Sequence, residues 1–253
     1  MIVYEDIPYI KDGNPCHLLD LYLPDGECSV LFLFFHGGGL VEGDRKTDVA
    51  MREFSKNMTD NGIGLASAEY RLYPEAKFPD FIEDAAAAVK FVKENLSEYV
   101  SYEKLVVGGS SAGAYITEML CFNPEYLGAV GITNSDICAY VHDAGQPTVH
   151  FNVLKERGMD SRRIVVDEQA PIYHVGGAES YPPMLFIVSD NDIPNRLEET
   201  ELLIGTMRRF GCDMSKVRFT KTSGNHVWYT KSLTKNNDSV YAGLIIPFIK
   251  DVF

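Results

Sequence analysis

The sequence lacks the features that would place it in a membrane, on nucleic acid or around a metal ion. No apolar run approaches the ~20 residues that a membrane-spanning helix needs. Basic residues are scarce: 23 Lys and Arg against 36 Asp and Glu leave a net charge of −13. That balance disfavours nucleic acid and anionic membrane surfaces as partners, and strongly anionic substrates as well. The six histidines form no H-x-x-x-H or H-E-x-x-H pattern, so no metal site is expected. The five cysteines (Cys16, Cys28, Cys121, Cys138 and Cys212) are odd in number, scattered and without a C-x-x-C. Free, mostly buried thiols in a reducing cytoplasm account for them, and nothing calls for a Cys16–Cys28 bridge. Repeats, low-complexity tracts and linker-like stretches are missing too, so no domain boundary is visible. The first ten residues, MIVYEDIPYI, carry early acids and no basic region followed by a greasy one, so no secretory leader is expected.

What is present suits a single α/β domain. The chain has 253 residues, 45% of them hydrophobic, enough for a sizeable core. Residues 2–10 and 16–23 read as two edge strands of a hairpin, and Val30 to Phe35 as a strand buried on both faces. Helices are expected at 48–61, 79–96, 195–210 and 238–252, with one more after Ser111. Further strands are expected at 64–69, 105–109, 128–133, 183–188 and 217–220. Residues 134–180 show no clean period and read as a small lid or insertion within one domain spanning 1–253. A hairpin followed by strand–helix alternation implies a mostly parallel sheet of about eight strands with helices on both faces.

The stretch that carries chemistry is Leu105 to Cys121, LVVGGSSAGAYITEMLC. An apolar strand meets Gly109-Ser110-Ser111-Ala112-Gly113, and a helical pattern follows. A serine on so tight a turn adopts strained backbone angles, and side chains two residues to either side would collide with the strand and helix. The Ala112 N–H opens the helix and points towards an oxyanion formed at Ser111. Serine needs an imidazole to take its proton, and His226, after the last strand, is the candidate base. Asp192, in Ser189-x-x-Asp192, is the expected acid, with Asp190 the alternative and Asp136 a third; the unused one of the pair would cap the helix or turn. The order Ser, Asp, His suits strand ends of such a sheet. Gly37-Gly38-Gly39 follow a buried strand, so the N–H groups of Gly38 and Gly39 would join Ala112 in an oxyanion hole. His36 is expected to bond loop backbone.

As an ordered set these motifs resemble the hormone-sensitive-lipase-like esterase and lipase branch of the α/β-hydrolases. The set comprises His36-Gly37-Gly38-Gly39 with Gly43-Asp44, then Tyr70-Arg71-Leu72-x-Pro74-Glu75 leading through Phe78-Pro79 into Glu83-Asp84. Gly109-x-Ser111-Ala112-Gly113, Asp192 and His226 complete it. The resemblance implies a serine carboxylesterase working through an acyl-enzyme, with no cofactor. It also makes Tyr70, Arg71 and Asp84 structural, with Arg71 pairing with an acid behind the oxyanion loop. Three departures matter. Ser110 stands where many relatives have Asp, Leu40 replaces an aromatic residue often found after the glycines, and the N-terminal region is too short for a large helical cap. A small or open acyl pocket follows, and with it a preference for acetyl to butyryl esters over long chains; acetyl or feruloyl esters of a sugar or plant-derived compound are the expected substrates. Leu40, Glu42, Leu72 and Trp228 are the expected substrate contacts, Trp228 and Tyr229 being equally suited to packing under the final helix. Amide chemistry, as in an arylformamidase or small peptidase, uses the same residues, and a non-catalytic binding protein on this fold is the remaining alternative. A homodimer through the last strand or helix is compatible with the fold.

Overall fold

The structure is a computed structural model that describes residues 1–46 and 49–253. In chain order it contains β1 (Ile2–Pro8), β2 (Leu18–Leu23), β3 (Val30–Phe35), α1 (Val49–Asp60), β4 (Ile63–Ala68) and α2 (Asp80–Asn95). Next come β5 (Lys104–Ser110), α3 (Ala112–Phe122), α4 (Pro124–Ala129), β6 (Ala139–Asp143) and α5 (Phe151–Glu156). The chain closes with β7 (Met184–Asn191), α6 (Arg196–Arg209), β8 (Val217–Asn225) and α7 (Val240–Val252). The eight strands form one sheet in the order β1-β2-β4-β3-β5-β6-β7-β8. Only β1 with β2 and β2 with β4 run antiparallel; every other pair is parallel.

The alternation of side chains along a strand divides the core in two. On β3, Leu31, Leu33 and Phe35 face a cluster completed by α2 and α3, where Phe81, Ile82, Val89, Ile116 and Leu120 are fully buried or nearly so. Val30, Phe32 and Phe34 face the other way, onto Phe54 and Met58 of α1 and onto Tyr241, Ile245 and Phe248 of α7. A strand covered on both sides has no polar face, which is why β3 reads as a continuous apolar run.

Three sequence expectations need correction. β2 is not an edge strand: it lies between β1 and β4, and Asp20, which mimics a solvent-facing position, is fully buried against the Arg45 guanidinium (Nε–Oδ1 3.0 Å). The expected strand at 128–133 is absent, because Asn123 caps a helix there, its side chain accepting the Glu125 N–H at 3.0 Å, with Pro124 in the first turn. The strand that pairs with β5 is instead β6, inside the stretch read as irregular, so 134–180 is not an insertion along its whole length. Only the excursion from the end of β6 to β7, residues 144–183, leaves the sheet. β6 escaped notice because its pattern includes His142 and Asp143. His142 is buried between aromatic rings (Tyr140 at 5.4 Å, Phe186 at 5.1 Å), with its Nδ1 hydrogen-bonded to the Thr117 hydroxyl oxygen at 3.0 Å. Burial alone pushes its pKa down to about 3, so the neutral ring behaves as another aromatic core residue. The helix expected at 48–61 is α1; position 48 lies outside the described residues.

Candidate active site

β5 ends as a strand and α3 begins as a helix with one residue between them. That residue, Ser111, has φ 54° and ψ −109°, a conformation that persists only where the surroundings enforce it. The flanking glycines show how tightly they do. A Cβ on Gly109 would lie 2.4 Å from the Gly113 carbonyl carbon, and one on Gly113 would lie 2.1 Å from the Phe35 carbonyl oxygen. β5, α3 and the end of β3 are therefore in backbone contact, and only glycine fits at either point. The Ser111 N–H is held by the Asp143 carbonyl at 2.7 Å, which ties the turn to the end of β6.

The structure brings Ser111, His226 and Asp192 into one hydrogen-bonded line from the ends of β5, β8 and β7. His226 Nε2 lies 2.9 Å from Ser111 Oγ, and Nδ1 lies 2.5 Å from Asp192 Oδ1. A carboxylate only accepts, so Nδ1 carries the proton and Nε2 presents its lone pair to the serine hydroxyl. Asp192 is 1% exposed at its side chain, His226 22%; the carboxylate is shielded while the imidazole reaches the cavity. Asp192 also accepts the Ile193 N–H at 2.7 Å, which fixes the carboxylate plane. Asp190 has other partners. It accepts the Gly224 N–H and the Ser223 hydroxyl, both at 3.0 Å, and these bonds hold its carboxylate below its ordinary range. Asp136 sits before β6 and accepts the Thr133 N–H in a capping box.

The glycine loop follows β3. Gly38 (φ 115°) and Gly39 (φ 64°) are both left-handed, and a Cβ on Gly38 would fall 1.8 Å from the Glu42 carbonyl oxygen. Both glycines line the same cavity as Ser111 and His226, whereas Ala112 is fully buried at the head of α3 and does not line it. His36 lies beneath the loop. Its Nδ1 contacts the Gly37 carbonyl and its Nε2 the Glu69 carboxylate, each at 2.7 Å, while its ring stacks on Tyr70 with centroids 4.4 Å apart. Tyr70 returns a hydrogen bond from its hydroxyl to the His36 carbonyl at 2.7 Å. Arg71 pairs with Asp84 (Nη2–Oδ1 2.7 Å). The ion pair adjoining His36, missed from sequence, is Arg45 with Glu69 and Asp20.

The cavity over Ser111 encloses about 770 Å³. Of the four expected substrate contacts only Glu42 lines it. Leu40 is fully buried beneath the loop, Leu72 packs against the α2/α3 core cluster, and Trp228 lies outside the cavity, its indole against Gly224. Tyr229 is core, its hydroxyl donating to Asp143. The cavity wall comes instead from Val41, Phe151, Asn152, Lys155, Ile193 and Val227. Val41 and Val227 adjoin residues singled out by motif. Phe151, Asn152 and Lys155 sit in the aperiodic excursion after β6, where no pattern marks them.

Comparison with known proteins agrees with this architecture. A family model described as BD-FAE matches residues 19–128, which hold the glycine loop and the Ser111 turn but neither Asp192 nor His226. Esterase B from Lactobacillus rhamnosis superposes over 99% of this chain and 86% of its own with a TM-score of 0.77 at 16% identity. A truncated carbohydrate esterase from gut microbiota does so over 100% and 96% with a TM-score of 0.78 at 18% identity. The chain has the α/β-hydrolase fold. In sequence the chain is similar to the carboxylic ester hydrolase LipN of Mycobacterium tuberculosis, 35% identical over 103 residues, 40% of this chain and 27% of LipN. It is also similar to the acetyl esterase of Salmonella schwarzengrund, 32% identical over 98 residues, 38% of this chain and 29% of that enzyme. The chain thus aligns with less than a third of the length of these curated relatives.

Proposed function

We propose that this protein is a serine carboxylesterase acting on short acyl esters. The observation that carries the proposal is the line Asp192–His226–Ser111, at 2.5 and 2.9 Å, ending beside the left-handed glycines of the oxyanion loop. In this reading His226 Nε2 takes the Ser111 proton as Oγ attacks the ester carbonyl. The carbonyl π electrons move to oxygen, and the N–H groups of Gly38, Gly39 and Ala112 stabilise the resulting oxyanion. The tetrahedral intermediate collapses, the C–O bond to the alcohol breaks, and the His226 imidazolium returns the proton to the departing alkoxide. Water then attacks the acyl-enzyme with His226 again as base, releasing the acid and restoring Ser111. Asp192 keeps His226 in the Nδ1–H tautomer and stabilises the imidazolium.

The names of the relatives, acetyl esterase and carboxylic ester hydrolase among them, support ester rather than amide substrates. The cavity mixes apolar walls at Val41, Ile193 and Val227 with polar groups at Glu42, Asn152, Lys155 and Lys231. This composition suits a small acyl group on a polar, sugar-like alcohol, with the 144–183 excursion as the lid. The test is a p-nitrophenyl ester series from acetate to decanoate on wild type and Ser111→Ala. We expect kcat/KM to peak between acetate and butyrate and to vanish in the variant. A maximum at decanoate would refute the short-acyl assignment, and unchanged turnover by Ser111→Ala would remove Ser111 as nucleophile. If no ester turns over, an anilide or formanilide series decides between amide hydrolysis and a binding role.

A further inference from the structure

We propose that Asn152, on the excursion between β6 and β7, is a positioning residue that sets the geometry of the oxyanion loop. The proposal rests on the reading of Gly38 and Gly39 as oxyanion donors. Every carbonyl from His36 to Leu40 is held. The His36 carbonyl accepts the Tyr70 hydroxyl, that of Gly37 the His36 ring, and that of Gly38 the Val41 and Glu42 N–H groups at 3.1 Å each. The Leu40 carbonyl accepts the Tyr73 N–H at 2.8 Å. The Gly39 carbonyl is held by the Asn152 side-chain amide, Nδ2 to O at 2.5 Å. With the carbonyls anchored, the loop's N–H groups keep one orientation, as a preorganised oxyanion site requires.

The Asn152 contact differs from the others in its origin. The remaining anchors come from the loop itself or from the segment after β4, whereas Asn152 is 113 residues away in sequence. It is 7% exposed and held in turn: its N–H donates to His150 Nδ1 at 3.2 Å, and the preceding Phe151 N–H donates to Gln146 Oε1 at 3.3 Å. At the far end of α5, Glu156 accepts the Tyr73 hydroxyl at 2.5 Å and the Phe78 N–H at 3.1 Å, and Tyr73 holds the Leu40 carbonyl. α5 therefore grips the glycine loop by two routes. Gly39 is a glycine with no side chain of its own to lock it, and a Cβ there would meet Phe151 Cζ at 3.3 Å. The requirement at position 152 is a donor, since the Gly39 oxygen can only accept.

The test compares wild type, Asn152→Ala and Asn152→Asp on p-nitrophenyl acetate, with fluorophosphonate labelling of Ser111 alongside. Displacing an oxyanion donor by a fraction of an ångström should lower kcat of Asn152→Ala by ~10²-fold. KM should stay within about twofold, the pattern of an interaction used in the transition state. The labelling rate should fall in parallel. In Asn152→Asp a carboxylate oxygen faces the Gly39 oxygen at neutral pH, whereas the protonated acid donates, so the ratio of variant to wild-type kcat should rise as pH falls. A merely structural role would lower Tm and leave that ratio flat, and this result, or a change confined to KM, overturns the proposal. Should Asn152→Ala fail to fold, the pH dependence of the Asn152→Asp ratio decides. Hydrogen exchange at residues 38–42, expected to quicken in either variant, separates the two proposals. Faster exchange without any Ser111-dependent turnover would refute the esterase reading and leave the Asn152 anchor standing, while unchanged exchange would refute the anchor.

Discussion

At the scale of single residues, the decisive discrimination is between Asp190 and Asp192. The two carboxylates are separated by one residue, yet β7 ends between them. Asp190 bonds Ser223 and Gly224 near the end of β8, while Asp192 bonds His226. Asp192→Asn should lower kcat by ~10⁴-fold, because an amide in place of the carboxylate favours the wrong imidazole tautomer. Asp190→Asn keeps an acceptor for the Gly224 N–H and should leave turnover within about twofold of wild type, as is usual for exposed positions without a buried partner. Steady-state kinetics on the two variants checks both. Equal losses would mean that Asp192 is not the carboxylate that orients His226. The preference for Asp192 came from the Ser189-x-x-Asp192 frame, which sets it deeper in the loop, and the structure places it against His226. The partners of Asp190 were not legible, since they lie on β8, 33 and 34 residues away.

At the scale of elements, α3 shows how an apolar helix accommodates a charged residue. All of its residues from Ala112 to Phe122 are buried, Glu118 among them. Burial pushes the Glu118 carboxyl up to about 8, with the Arg196 guanidinium opposing the shift. The folded protein therefore holds this proton where the unfolded chain releases it near pH 4.5. The folded state binds more protons between those values, so Glu118 costs stability progressively as pH rises from about 4.5 to about 8. Glu118→Gln should raise stability by roughly 2–4 kcal/mol at pH 8 and change it little at pH 4, as read from denaturant midpoints at the two pH values. A gain that is equal at both would show that the carboxylate is not the cause. β6 illustrates the same physics from the sequence side. His142 and Asp143 look like loop residues, yet both are buried strand residues, and periodicity reports polarity rather than burial.

At the scale of the whole molecule, the antiparallel margin and the site are joined by one ion network. Arg45 pairs with Asp20 on β2, with Glu69 after β4 and with Asp6 on β1, and Glu69 in turn holds His36 at the root of the glycine loop. Arg45→Ala would leave Asp20 and Glu69 buried with their main cation gone, which should cost about 3–5 kcal/mol. Thermal unfolding should show it as a clear drop in Tm, accompanied by lower kcat through the loosened loop; an unchanged Tm would show the network to be energetically neutral. None of these partners forms a motif. Arg45 lies just beyond Gly43-Asp44 and reads as a surface residue, and only the juxtaposition of three strands makes it central.

The sequence by itself determined the class of architecture and the identity of the chemical groups. Alternating apolar strands and amphipathic helices can bury their faces only as a layered sheet, and the Gly109 and Gly113 backbone contacts leave no other residue type at those positions. Tertiary structure alone decided which strand follows α3, which residues wall the cavity and what holds the glycine loop. Those outcomes rest on contacts between positions far apart in the chain, such as Asn152 with Gly39 and Arg45 with Asp20 and Glu69, and local pattern carries no trace of a partner that folding has yet to bring near.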